Sequence, residues 1–104
     1  MHRIAFTMQL HPGFEEEYRR RHAAIWPELA ALLHDSGIRE YSIFLDAHTT
    51  TLFAYLQVEN PEALDELPRH PVMRRWWDYM KDIMAYKDDG TPAVEALTPM
   101  FHLD

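Results

Sequence analysis

The sequence predicts an α+β fold in which strand, helix, strand, strand, helix and strand follow one another, and three observations carry that expectation. Apolar residues recur at every second position within residues 4–10, 38–46 and 50–59. They recur at helical spacing within residues 14–33 and 72–84. Turn-forming residues stand at the junctions, as Pro12-Gly13, Ser36-Gly37, Asn60-Pro61 and Gly90.

Each element has its own justification. Ile4, Phe6, Met8 and Leu10 alternate with Ala5, Thr7 and Gln9, so the first segment reads as a strand. From Phe14 the apolar stripe runs through Tyr18, Ile25, Leu29, Leu32 and Leu33, with His22 on the same side. Glu15, Glu16 and Glu17 fall in the first turn of that helix, where they complement its dipole. The pattern predicts one long helix, kinked just after His22 because Pro27 removes a hydrogen bond and crowds the Ala23 carbonyl. Ser36-Gly37 ends it. Residues 38–46 and 50–59 form a hairpin across Ala47-His48-Thr49. Asn60 precedes Pro61 in the manner of a helix start, predicting a short helix over 62–67 that Pro68 interrupts. After Pro71, residues Val72, Met73, Trp76, Met80, Ile83 and Met84 line one helical face, and Trp77 stands beside Trp76. Residues 87–92 form a loop, and 97–103 read as a last strand that Pro99 confines to an edge or a bulge.

This order is the split βαβ pattern of ferredoxin-like domains. Both parities of the middle strands carry apolar groups, with Phe44 opposing Tyr41 and Ile43, and Phe53 and Tyr55 opposing Leu52 and Ala54. A sheet with helices on one face should be polar on the other unless something covers it. The expected cover is a second copy of the chain, making a homodimeric α+β barrel.

Composition narrows the function. A chain of 104 residues is expected to be one domain spanning 1–104. With 17 acidic against 10 basic residues its formal charge is −7, which disfavours nucleic acid. There is no cysteine, hence no disulfide and no thiolate metal site. No apolar run approaches the roughly 20 residues of a membrane span, and the opening Met1-His2-Arg3-Ile4 lacks a long apolar region, so a cytoplasmic protein with no membrane partner is expected. None of the seven histidines has a metal-ligand spacing. Gly13, Gly37 and Gly90 are isolated, so no phosphate-cradling loop is present, and no metal or other cofactor is expected.

Two segments carry chemistry. Tyr18 and His22 are one helical turn apart, which places a phenol beside an imidazole that titrates near neutrality. Such a pair suits acid/base work on a small polyol, although a helix edge filled by Tyr and His would look the same. In Trp76-Trp77 adjacent side chains diverge by about 100°, so one indole can pack in the core while the other meets a cleft and offers the C–H side of a sugar a flat apolar face. Tyr41 also has a plain role as a cross-strand aromatic.

The ordered set of Tyr18-Arg19-Arg20-Arg21-His22, Ile25-Trp26-Pro27-Glu28-Leu29, Tyr41-Ser42-Ile43-Phe44-Leu45-Asp46 and Arg75-Trp76-Trp77-Asp78-Tyr79-Met80 resembles the L-rhamnose mutarotase family along the whole chain. The resemblance implies a cofactor-free isomerase that interconverts the α and β anomers of L-rhamnopyranose, a dimeric α+β barrel, His22 as the proton donor, and Tyr18, Tyr41, Trp76 and Trp77 lining the sugar pocket. Two alternatives share these features. Cofactor-free monooxygenases or haem-degrading proteins use small dimeric ferredoxin-like domains, and a noncatalytic sugar-binding module would keep the aromatic residues for recognition alone.

Overall fold

The computed structural model describes all residues from 1 to 104. Strand β1 (His2–Gln9) turns Phe6 and Met8 inward, and two helices follow, α1 (Glu15–Ala23) and α2 (Pro27–Asp35). Strands β2 (Ile38–Asp46) and β3 (Thr51–Val58) form the hairpin, and α3 (Glu62–Glu66) runs into a 3-10 turn at Leu67–Arg69. Helix α4 (Pro71–Met80) and the two-residue strand β4 (Glu95–Ala96) complete the order. The sheet is antiparallel with order β2-β3-β1-β4, the ferredoxin-like arrangement the element order predicts. Its inner face packs Met8, Leu52 and Ala54 against Tyr18, Leu29, Met73 and Met80 from the helices.

Three elements differ from the sequence reading. The first helical stretch is two helices, not one kinked helix: α1 closes at Ala23 and Pro27 is the first residue of α2. The ring of a proline biases the residue before it away from the helical region, and Trp26 is extended at φ −63°, ψ 131°. The missing proline N–H costs little in a first turn, where that donor has no intrahelical partner, so the chain breaks instead of bending. Helix α4 stops at Met80, short of Ile83 and Met84. Those residues are buried, but their backbone serves the end of β1: His11 N–H donates to the Ile83 carbonyl at 2.9 Å and Met84 bridges Leu10. The last strand is Glu95–Ala96, paired with Phe6 and Thr7, and residues 97–103 are not a strand. Leu97 N–H still reaches the Ala5 carbonyl at 3.0 Å, after which Pro99 has no donor to offer the ladder.

A β-bulge decides where Tyr41 points. Ile38 faces Val58 and Arg39 faces Gln57, but Ser42 faces Tyr55, so the register slips by one between Arg39 and Ser42. In an unbroken ladder Tyr41 would pair with Tyr55 and share its outward face. The slip turns Tyr41 and Ile43 inward along with Ile38. Glu40 absorbs it at φ 52°, a left-handed conformation that costs a non-glycine residue about 1 kcal/mol. Glu40→Gly is therefore expected to raise unfolding stability by about 0.5–1 kcal/mol, seen as a higher urea midpoint at unchanged slope. A lower midpoint would contradict the assignment of strain to this position.

The outer face of the sheet is uncovered. Phe44 and Phe53 are direct cross-strand partners there, 71% and 41% exposed. Met100, Phe101 and Leu103 are also exposed in the chain beyond β4.

Candidate active site

The break at Ala24–Trp26 sets up the site. α1 ends with His22 in its last turn, and the extended Trp26 swings its indole onto α4. The Tyr18 and His22 rings stack at 4.2 Å between centroids, 25° from parallel. His22 meets the Trp76 indole edge-on at 5.4 Å. Trp76 in turn touches Trp26 at 5.1 Å and Tyr79 at 5.7 Å. One aromatic chain thus runs from α1 across the α1–α2 break to α4.

Arg21 ties the same elements together by charge. It is 9% exposed, and its guanidinium bonds Glu17 at 2.7 Å, Asp82 at 2.9 Å and the Tyr79 carbonyl at 2.7 Å. It also lies over the Tyr79 ring at 4.4 Å. The hydrogen bonds from Arg20 and Arg21 hold Glu17 down at about 2. Arg21 and Trp26 were not singled out by sequence reasoning. A run of three arginines on a helix reads as a wet face, and only the packing of α1 on α4 shows that the middle of the Arg20-Arg21-His22 turn faces inward.

His22 is half-buried with Nδ1 3.1 Å from the Tyr18 carbonyl. A carbonyl only accepts, so Nδ1 carries the proton and Nε2 presents its lone pair in the neutral ring. Burial lowers the pKa from the ordinary 6.5, outweighing the carbonyl bond that favours the cation. Near neutral pH the imidazole is therefore a proton acceptor first.

Ring contacts join Tyr18, His22 and Trp76 directly, and Tyr41 and Trp77 lie with them on one broad cleft between the sheet and the helices. Tyr18, His22, Tyr41, Trp76 and Trp77 all line it. Their burial differs: Tyr18 and Trp76 are 8% and 5% exposed, Trp77 is half-buried with Arg74 over its ring at 5.9 Å, and Tyr41 stands at the mouth, 39% exposed. Burial of its phenol still pushes the Tyr41 pKa up to about 12, and burial raises that of Tyr18 further. Neither phenolic oxygen has a hydrogen-bond partner in the protein, yet no side-chain oxygen or nitrogen is sealed away unsatisfied. Tyr18, which lines the cleft, therefore keeps its hydroxyl accessible and unengaged. No group of three or more His, Asp or Glu side chains is arranged to hold a metal ion, and no helix is long and apolar enough to cross a membrane.

Comparison with known proteins gives a consistent answer. Residues 3–103 match the family model described as L-rhamnose mutarotase. The chain is 57% identical to an L-rhamnose mutarotase of Verminephrobacter eiseniae over 98% of its length and 96% of the relative's. It is 53% identical to an L-rhamnose mutarotase of Paraburkholderia phytofirmans, covering 100% of this chain and 97% of the other. The crystal structure of an L-rhamnose mutarotase from Formosa agariphila superposes with a TM-score of 0.92 at 39% identity, each chain covered in full. A putative antibiotic biosynthesis monooxygenase from Deinococcus radiodurans superposes with a TM-score of 0.62 at 11% identity over 99% of this chain and 97% of the other, a likeness of fold alone. The chain belongs to the L-rhamnose mutarotase family.

Proposed function

We propose that this protein is an L-rhamnose mutarotase, an isomerase that interconverts the α and β anomers of the pyranose by proton transfer alone. The observation that carries the reading is the stacked Tyr18–His22 pair, whose Nε2 lone pair and phenolic hydroxyl stand free in an aromatic cleft. Apolar walls with a few unengaged polar groups are what a monosaccharide needs: indole faces for its C–H side, hydroxyls for its own.

The chemistry follows from where the reacting oxygens sit. The ring oxygen and the anomeric hydroxyl are bonded to the same carbon, so one imidazole nitrogen can serve both. Neutral His22 takes the anomeric proton at Nε2, the bond from the anomeric carbon to the ring oxygen breaks as the aldehyde forms, and the imidazolium gives its proton to the ring oxygen. The aldehyde rotates and the same steps run in reverse, with His22 as acid or base according to the half-reaction. In this scheme Tyr18 fixes the imidazole by stacking and holds a sugar hydroxyl, Tyr41 binds from the sheet, and Trp76 and Trp77 wall the ring. Nuclear magnetic resonance exchange spectroscopy on L-rhamnose tests the reading. The expected result is protein-dependent exchange between anomeric signals, whereas perturbed signals without faster exchange would mark a sugar-binding module and displace the enzyme.

The whole chain, residues 1–104, acts as one catalytic domain in this reading, cytoplasmic and homodimeric. Support for the dimer comes from the uncovered Phe44–Phe53 pair together with the exposed Met100, Phe101 and Leu103, an apolar surface expensive to leave in water. Sedimentation at micromolar protein is expected to report twice the chain mass. A monomer at that concentration would contradict the barrel arrangement.

A further inference from the structure

The cleft holds a third phenol that neither the sequence pattern nor the proton-transfer scheme uses. Tyr86 follows α4 in a small hairpin, bridged to Pro92 and pinned on both sides: Ala85 N–H donates to the Gln9 carbonyl at 2.8 Å, Lys87 N–H to the Thr91 carbonyl at 2.8 Å, and Ala93 N–H to the Ala85 carbonyl at 3.2 Å. Asp89 accepts from the Thr91 N–H at 2.9 Å and from its hydroxyl at 2.6 Å, and Arg74 reaches over to the Asp89 carbonyl at 3.0 Å. The hairpin is thus held to the end of β1 and to α4, and its geometry does not wait for a ligand.

From that base the Tyr86 ring packs against the main core and lines the same cleft as Tyr18, Tyr41 and His22. Its hydroxyl has no protein partner and is not sealed from solvent. A half-buried phenol with a free hydroxyl, set on a fixed backbone inside a site for a polyhydroxylated ligand, is a preorganised hydrogen-bonding group. We propose that Tyr86 is a specificity-determining residue of the sugar site, its hydroxyl bonding a ring hydroxyl other than the reacting one. Burial and the nearby charge of Asp78 raise its pKa above the usual tyrosine value, so it stays protonated and serves binding in preference to proton transfer.

The inference rests on the mutarotase reading, and its test separates the two. Tyr86→Phe keeps the ring and removes only the hydroxyl. Anomer exchange and ligand-observed binding are measured for wild type and variant with L-rhamnose and its three monodeoxy analogues, each lacking one ring hydroxyl. Expected is a KM about 3- to 10-fold higher for L-rhamnose with kcat within about two-fold, and the loss of that penalty for one analogue, the one missing the hydroxyl that Tyr86 holds. An unchanged KM, or an equal penalty with all four sugars, would overturn the role of Tyr86 while leaving the mutarotase reading in place. If wild type binds sugar without exchanging it, the mutarotase reading falls and the binding arm still decides on Tyr86. Absence of any binding by wild type overturns both.

Discussion

His22→Gln is expected to cost about 10²- to 10⁴-fold in anomer exchange, the usual contribution of a positioned acid/base group, with the fold retained. Glutamine has similar length and can still donate to the Tyr18 carbonyl 3.1 Å from Nδ1, but it offers no lone pair that accepts and returns a proton. Sugar binding should persist because Tyr18, Tyr41 and the indoles remain. The variant also separates catalysis from stability. Burial lowers the His22 pKa below its ordinary 6.5, so the unfolded chain takes up that proton first as the pH falls. This residue therefore withdraws stability below about pH 6.5, at up to about 1.4 kcal/mol per pH unit until its folded pKa is reached. Removing the imidazole should leave the variant less acid-sensitive than wild type in the same window. A folded variant with near wild-type exchange, checked by circular dichroism, would take His22 out of the mechanism.

Trp76→Ala is expected to cost about 3–5 kcal/mol in urea unfolding, a large share of the about 5–15 kcal/mol that holds a domain together. The sequence alone suggests that whichever indole faces the cleft can be removed at the expense of binding more than stability. The structure assigns the two indoles differently. Trp76 is 5% exposed and supports His22, Trp26 and Tyr79 at once, so its truncation opens a cavity at the junction of α1, α2 and α4. Trp77 is half-buried beneath Arg74, and Trp77→Ala should weaken sugar binding more than it lowers the unfolding midpoint. If Trp76→Ala unfolds within about 1 kcal/mol of wild type, the aromatic chain is not a supporting structure.

Much of this arrangement was legible because local and long-range signals agreed. The period-two runs and the turn residues around Asn60-Pro61 locate β1, β2, β3 and α3 to within a residue or two, and the one-turn spacing of Tyr18 and His22 brings their rings into contact. The failures share a cause, which is that an apolar pattern states that a residue is buried without stating in what backbone. Ile83 and Met84 continue the spacing of α4 but are buried in a turn and a bridge. Pro27 signals a disruption, and the extended backbone that Trp26 adopts before it makes the disruption a break and not a kink. The bulge at Glu40 had a readable signal, since Ile38 and Ile43 both face inward at an odd separation that an unbroken strand cannot accommodate. Arg21 and Tyr86 had none, because their environments are made by residues distant in sequence, such as Asp82 for Arg21 and the end of β1 for Tyr86.

The central claim is that a neutral His22 moves one proton between two oxygens of the same anomeric carbon, without a cofactor. Anomer exchange of L-rhamnose, measured with chelator present from about pH 5 to about pH 8 and corrected for the protein-free rate, tests it most directly. The account predicts exchange that is level around neutrality and falls as acid protonates His22 through a pKa below 6.5. Exchange no faster than the blank, exchange abolished by chelation, or a corrected rate that climbs toward low pH would contradict it.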